Sequence, residues 1–117
     1  MAEPSPARLF ATLAGVVLLA IGMIGFFNGT SIWLNLLHGL TGVAGLALAG
    51  IGPRRFAFWI GCAYVALAIW GFALGSGEEI LGFLPVDTAG DFLHLAVGAL
   101  GIGAALGTRR APRPATA

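Results

Sequence analysis

Charged side chains are scarce: they make up 9% of the 117 residues, against 58% hydrophobic ones. A soluble domain carries roughly a quarter charged residues, and a chain this poor in them cannot cover a globule's surface for water. A soluble enzyme or nucleic-acid binder is excluded as a class. Lysine is absent, all six basic residues being arginine, and the formal net charge of +1 gives no field to gather nucleic acid or acidic substrates. The lean towards Arg, Gly and Ala reflects GC-rich coding. The one cysteine, Cys62, cannot form an internal disulfide and lies in an apolar stretch, where it reads as a small hydrophobe. There is no phosphate-cradling loop, nucleophile constellation or cysteine cluster. Apart from two histidines, no ionisable residue falls inside an apolar run, which speaks against a proton-coupled exporter.

What the chain does have is four apolar runs. The first, Leu9–Phe27, follows a polar leader over residues 1–7. It is too long for the core of a secretory signal and no small-x-small cleavage site follows, so it reads as a retained anchor. The second, Ile32–Ile51, begins after Asn28-Gly29-Thr30-Ser31, a glycosylation sequon that reads as a turn. It stops at Gly52-Pro53, where proline withholds the N–H a continuing helix needs. The third, Phe56–Leu74, ends in Gly75-Ser76-Gly77. The fourth, Phe92–Leu106, is the shortest, with Asp91 as its N-cap and Asp91 and Gly107 at the membrane edges. Between the last two runs, Ile80–Val86 contains Gly82 and Pro85, which disfavour a helix; it reads as lying in the membrane interface. Helices are thus expected at about 9–27, 32–51, 56–74 and 91–107, in one transmembrane domain over 8–108 with a disordered basic tail over 109–117.

Charge placement orients these runs. Arg8, Arg54, Arg55, Arg109, Arg110 and Arg113 fall in segments that four crossings put on one side, while Glu78, Glu79, Asp87 and Asp91 fall on the other. The positive-inside rule makes the arginine side cytoplasmic, with both termini inside. Trp33 and Trp59 sit near helix ends as interfacial residues; spacing leaves Trp70 and Tyr64 facing either lipid or protein.

The chain also repeats itself. Asn35-Leu36-Leu37-His38 with Gly42 and Gly45 matches Asp91-Phe92-Leu93-His94 with Gly98 and Gly101 at every spacing, and Gly15, Ala20, Gly25 and Phe26 match Gly61, Ala66, Gly71 and Phe72. The expected fold is an all-α membrane protein, a four-transmembrane-helix bundle of two repeated helical hairpins in parallel orientation.

His38 and His94 are the only histidines, equivalent by the repeat, and each shares a helix face with glycines four and seven residues on. Small residues at that spacing mark close helix contact, so Gly42, Gly45, Gly98 and Gly101 are the expected packing positions and both imidazoles should point inward. The plain reading is a structural polar cluster of Asn35, His38, Asp91 and His94, each histidine bonding to the Asn or Asp three residues before it. The sharper reading is paired ligation, of a haem held axially or of zinc shared with Asp91. Against it stand the absence of arginine on that side to meet propionates and of a fixed third zinc ligand, so no cofactor is expected.

The segments around the histidines resemble a known family. Asn35-Leu36-Leu37-His38-Gly39-Leu40-Thr41-Gly42-Val43-Ala44-Gly45-Leu46-Ala47-Leu48 and Leu84-Pro85-Val86-Asp87-Thr88-Ala89-Gly90-Asp91-Phe92-Leu93-His94-Leu95 are similar to the bacterial four-helix membrane proteins catalogued as domain of unknown function 4383. The resemblance runs from the first helix to the fourth and implies a bacterial inner-membrane location. Members usually carry a longer loop between the first two helices, here cut to a short turn. Since the family has no established activity, the resemblance bears on fold and leaves the chemistry to the residues.

These observations point to a non-enzymatic, multi-pass accessory or structural component of the bacterial cell membrane. Its expected partners are the lipid bilayer and either a second copy or another membrane protein, with no nucleic acid. Two other classes stay open: a redox protein binding haem or metal through His38 and His94, and a transporter or channel subunit.

Overall fold

A computed structural model describes residues 3–110. The outermost parts of the expected leader and basic tail, residues 1–2 and 111–117, lie outside them. Four helices carry the fold: α1 Pro6–Asn28, α2 Ile32–Leu48, α3 Pro53–Leu74 and α4 Thr88–Leu106, with two short strands, β1 Glu79–Ile80 and β2 Leu84–Pro85, before α4. Three of the helices, α1, α3 and α4, are long and apolar enough to cross a membrane; α2, at 17 residues, is shorter.

Each boundary has a local cause. The Ser5 hydroxyl accepts from the Arg8 N–H at 3.1 Å and Pro6 occupies the first turn, so α1 starts three residues before its apolar run. It ends at Gly29, whose φ of 72° reverses the chain while the Thr30 N–H donates to the Gly25 carbonyl at 3.1 Å. Ser31 then caps α2. The apolar run to Ile51 continues past that helix, but α2 itself stops at Leu48: the Ile51 and Gly52 N–H groups both turn back onto the Leu48 carbonyl. Pro53 opens α3 directly afterwards.

At the start of α4 the cap is Asp87 rather than Asp91. Its carboxylate accepts from the Gly90 N–H at 2.5 Å, adding the turn Thr88–Asp91 ahead of the apolar run. The fourth helix is therefore 19 residues long and α2 is the shortest. The segment before it is non-helical, as its Gly82 and Pro85 suggest. It folds into an antiparallel hairpin, Glu79 opposite Pro85 and Ile80 opposite Leu84, closed through Leu81 and Gly82 at positive φ. Ile80 and Val86 are buried, and the Phe83 ring meets Trp33 of α2 edge-on at 5.4 Å.

The helices pack as two antiparallel hairpins, α1 with α2 and α3 with α4. Backbone-to-backbone contact sets the spacing. A Cβ on Gly42 would lie 2.5 Å from the Leu19 nitrogen and 2.7 Å from the Gly15 carbonyl. One on Gly98 would lie 2.6 Å from the Val65 nitrogen and 2.8 Å from the Gly61 carbonyl. Further along, Gly45 lies on the Ala11 carbonyl and the Phe56 ring, and Gly101 on the Ala57 carbonyl and the Phe10 ring. Without side chains at these points the backbones approach closely enough for dispersion to act along the whole hairpin.

The interior is divided by polarity. At the arginine end, Ala7, Phe10, Ala11, Ala49, Phe56, Ala57 and Ala105 form an apolar cluster, with the Phe10 and Phe56 rings 6.3 Å apart. Thr108 ties this end together, accepting from the Ala7 N–H at 2.8 Å and, through its carbonyl, from Arg54 Nε at 3.3 Å. Leu18 and Tyr64 fill the middle, so Tyr64 faces inward while Trp70 is exposed. The opposite end buries polar side chains: Asn35, His38, Thr41, Asp91 and His94. The outward faces are apolar, with Leu13, Val17, Ile69 and Leu100 all more than half exposed.

Candidate functional site

His38 enters from the second turn of α2 and His94 from the second turn of α4. The capping turns at Ser31 and Asp87 set both histidines at one depth, facing each other. Their Nε2 atoms are 3.4 Å apart and their ring centres 5.6 Å apart. The difference is close to two ring radii, so the imidazoles meet nitrogen-first rather than stacking. Both are buried, His38 at 5% exposure and His94 at 7%.

Around them stands a second pair. Tyr64 of α3 packs its ring against His94, centres 5.4 Å apart and nearly perpendicular. Its hydroxyl donates to Thr41 Oγ1 at 3.1 Å, and Thr41, one turn beyond His38, donates onward to the Leu37 carbonyl at 2.6 Å. Sequence reasoning left the direction of Tyr64 open and did not reach Thr41. The available clue was the i, i+3 spacing of Thr41 from His38, which puts its hydroxyl on the histidine face.

Asn35 and Asp91 lie on this end without bonding to the histidines. The Asn35 amide donates to the Thr30 carbonyl at 3.3 Å, and Thr30 Oγ1 contacts both the Asn35 carbonyl oxygen, at 3.2 Å, and the Gly25 carbonyl, at 3.1 Å. Asp91 lies against Gly71 as Asn35 lies against Gly25: a Cβ on either glycine would run into the facing side chain. The bond to the residue three places earlier, suggested by spacing, thus gives way to a contact between the two imidazoles. The packing glycines Gly42 and Gly45 face α1, and Gly98 and Gly101 face α3.

A cleft of about 390 Å³ opens beside His38. Ile21, Ile24 and Leu34 give it an apolar wall; Asn35, Ser31 and Asp87 give it a polar one.

The geometry bears on the ligand sets raised by the sequence. Axial haem ligation requires a porphyrin-wide slot between the imidazoles; these rings are in contact and Tyr64 packs on one of them, so they do not fit that group. The zinc set with Asp91 does not form either: among the described residues no three His, Cys, Asp or Glu side chains come together to hold one ion.

Comparison with known proteins adds one finding. The model of the family described as Domain of unknown function (DUF4383) matches residues 28–107, well over half of the chain. No curated protein and no solved structure matches.

Proposed function

We propose that this chain, which belongs to the DUF4383 family, is a small integral membrane protein without enzymatic activity, an accessory or structural component of a bacterial cell membrane. One observation carries the reading: polarity runs inside-out, with Asn35, His38, Thr41, Asp91 and His94 buried and large apolar side chains exposed along every helix. In water such a surface would drive aggregation; in lipid it is the solvated face.

The same reading makes α2 a fourth crossing. Its 17 residues reach about 25 Å, short of a typical hydrocarbon core. But α2 returns along α1 from Asn35 beside Gly25 to Gly45 beside Ala11, so it accompanies α1 through the central part of that longer helix. Four crossings gather the arginines on one side, cytoplasmic by the positive-inside rule, with both termini. The matched glycine contacts within the α1–α2 and α3–α4 pairs support two repeated hairpins joined in a four-helix bundle. A second copy or another membrane protein is the proposed partner besides lipid. In support of a non-enzymatic role, Thr30, Asn35, Thr41 and Tyr64 hydrogen-bond one another or backbone carbonyls, so that among the described residues these polar groups serve packing rather than a nucleophile–base pair.

Cysteine labelling in intact cells tests this. In a Cys62→Ala background, Glu78→Cys should react with a membrane-impermeant maleimide and Arg110→Cys only after lysis. Labelling of position 110 from outside, or of both positions alike, overturns the topology.

A further inference from the structure

We propose that His38 and His94 together form a two-coordinate binding site for a monovalent soft cation, cuprous copper, reached through the cleft at the acidic end of the molecule. This goes beyond the accessory reading above and does not depend on it.

The first support is ring direction. The imidazoles face each other Nε2 to Nε2 at 3.4 Å, longer than the 2.7–3.2 Å of a good N–H hydrogen bond. Two collinear metal–imidazole bonds of about 2 Å each need roughly 4 Å between the nitrogens, an opening of about half an ångström. A closed-shell monovalent coinage ion accepts two donors in line, and imidazole is a good ligand for copper. Distance alone would also admit two corners of a tetrahedral zinc site, which needs about 3.3 Å. Ligand number decides against that: no third His, Cys, Asp or Glu joins the pair among the described residues. Hard cations are disfavoured by the donors themselves, since they take oxygen ligands.

The second support is charge. Arg8, Arg54, Arg55, Arg109 and Arg110 all belong to the end tied together by Thr108, while Glu78, Glu79, Asp87 and Asp91 belong to the histidine end. Among the described residues no like charge stands at that end to repel a bound cation, and the acidic residues favour it along the approach. The third is access: the cleft that reaches His38 has Asp87 and Asn35 on its polar side. The hydroxyls of Tyr64 and Thr41 are engaged with each other and with a backbone carbonyl. The Tyr64 ring packs on His94, and with both hydroxyls engaged elsewhere the two Nε2 atoms are left as the donors.

The test uses the full chain in detergent with Cys62→Ser, so that the one thiol does not compete. Under anaerobic conditions, cuprous ion is titrated against a coloured cuprous chelator. The chain should withdraw one ion, and X-ray absorption should show two nitrogen neighbours. His38→Asn and His94→Asn should each weaken binding by more than the roughly ten- to hundredfold that losing an outer-shell partner costs. No withdrawal, a single variant binding like the parent, or equally tight zinc binding overturns the site. Silver ion titrated into the unmutated histidine pair gives a readout that needs no variant. Both Nε2 resonances should shift together and saturate at one equivalent; a shift of one alone, or of neither, is equally fatal.

Discussion

Asn35 and Asp91 occupy corresponding places and are held differently. Each lies on a glycine of the neighbouring helix, Asn35 on Gly25 and Asp91 on Gly71. Asn35 is further secured by Thr30, whereas the position that corresponds to Thr30 beside Asp91 is Val86, which has no hydroxyl to offer. Packing therefore carries more of the Asp91 placement than hydrogen bonding does. Gly71→Ala would drive a methyl group into the carboxylate, and forced overpacking of this kind costs roughly 1–3 kcal/mol. Asp91→Ala clears that space. The double variant Gly71→Ala/Asp91→Ala should thus melt well above the temperature expected from adding the two single losses, with a coupling of about 1 kcal/mol or more. Thermal melting in detergent of the parent, both singles and the double measures it. Simple additivity would mean that the glycine is not there to seat the carboxylate.

At the level of the helices, glycine content alone says little, because the same residue type serves opposite ends. In α4, Gly98 presses on α3, while a Cβ on Gly103 would meet nothing within 4 Å. Gly98→Ala should lower the melting temperature, since Val65 and Gly61 stand in the way. Gly103→Ala should leave it unchanged or raise it, because alanine in a helix interior is worth about 1 kcal/mol over glycine. Equal losses would show that α4 does not approach α3 through the Gly98 face.

This contrast also shows what the sequence could and could not convey. The apolar runs, the glycine ends of α1 and α3 and the matched depth of His38 and His94 were legible because they rest on composition, local turn chemistry and repeated spacing. The choice of Asp87 over Asp91 as cap was not, since both are good capping residues and only the extra turn Thr88–Asp91 decides between them. Nor was the choice of partners inside the site. Spacing along one helix brings Asn35 near His38, but the atom that meets the imidazole comes from α4, and Tyr64 reaches Thr41 from α3. Contacts between helices depend on rotation about each axis, which a single apolar run with glycine on several faces leaves undetermined. The hairpin at Glu79–Pro85 was hidden for a related reason: Leu81 at φ 55° is a non-glycine residue in a left-handed turn, and no local pattern announces it.

For the molecule as a whole, the distribution of polarity makes a demand that a water-soluble protein would not. Val17 and Leu9 on α1 are about equally exposed, at 52% and 48%. In water an arginine at either site would be a surface substitution worth within about 0.5 kcal/mol. In a bilayer the two differ by depth. Val17 is midway along α1, whereas Leu9 is one residue from Arg8 at the arginine end. On an insertion scale a charge at the centre of a span costs roughly 2.5–3.5 kcal/mol, and a long side chain near the end escapes most of that by reaching the headgroups. Val17→Arg should therefore sharply reduce the amount of protein recovered in the membrane fraction, while Leu9→Arg should leave it near the parent level. Quantitative blotting of membrane and soluble fractions compares them directly. If both variants accumulate like the parent, or shift together into the soluble fraction, the exposed apolar faces are not in contact with lipid and the inside-out arrangement needs another explanation.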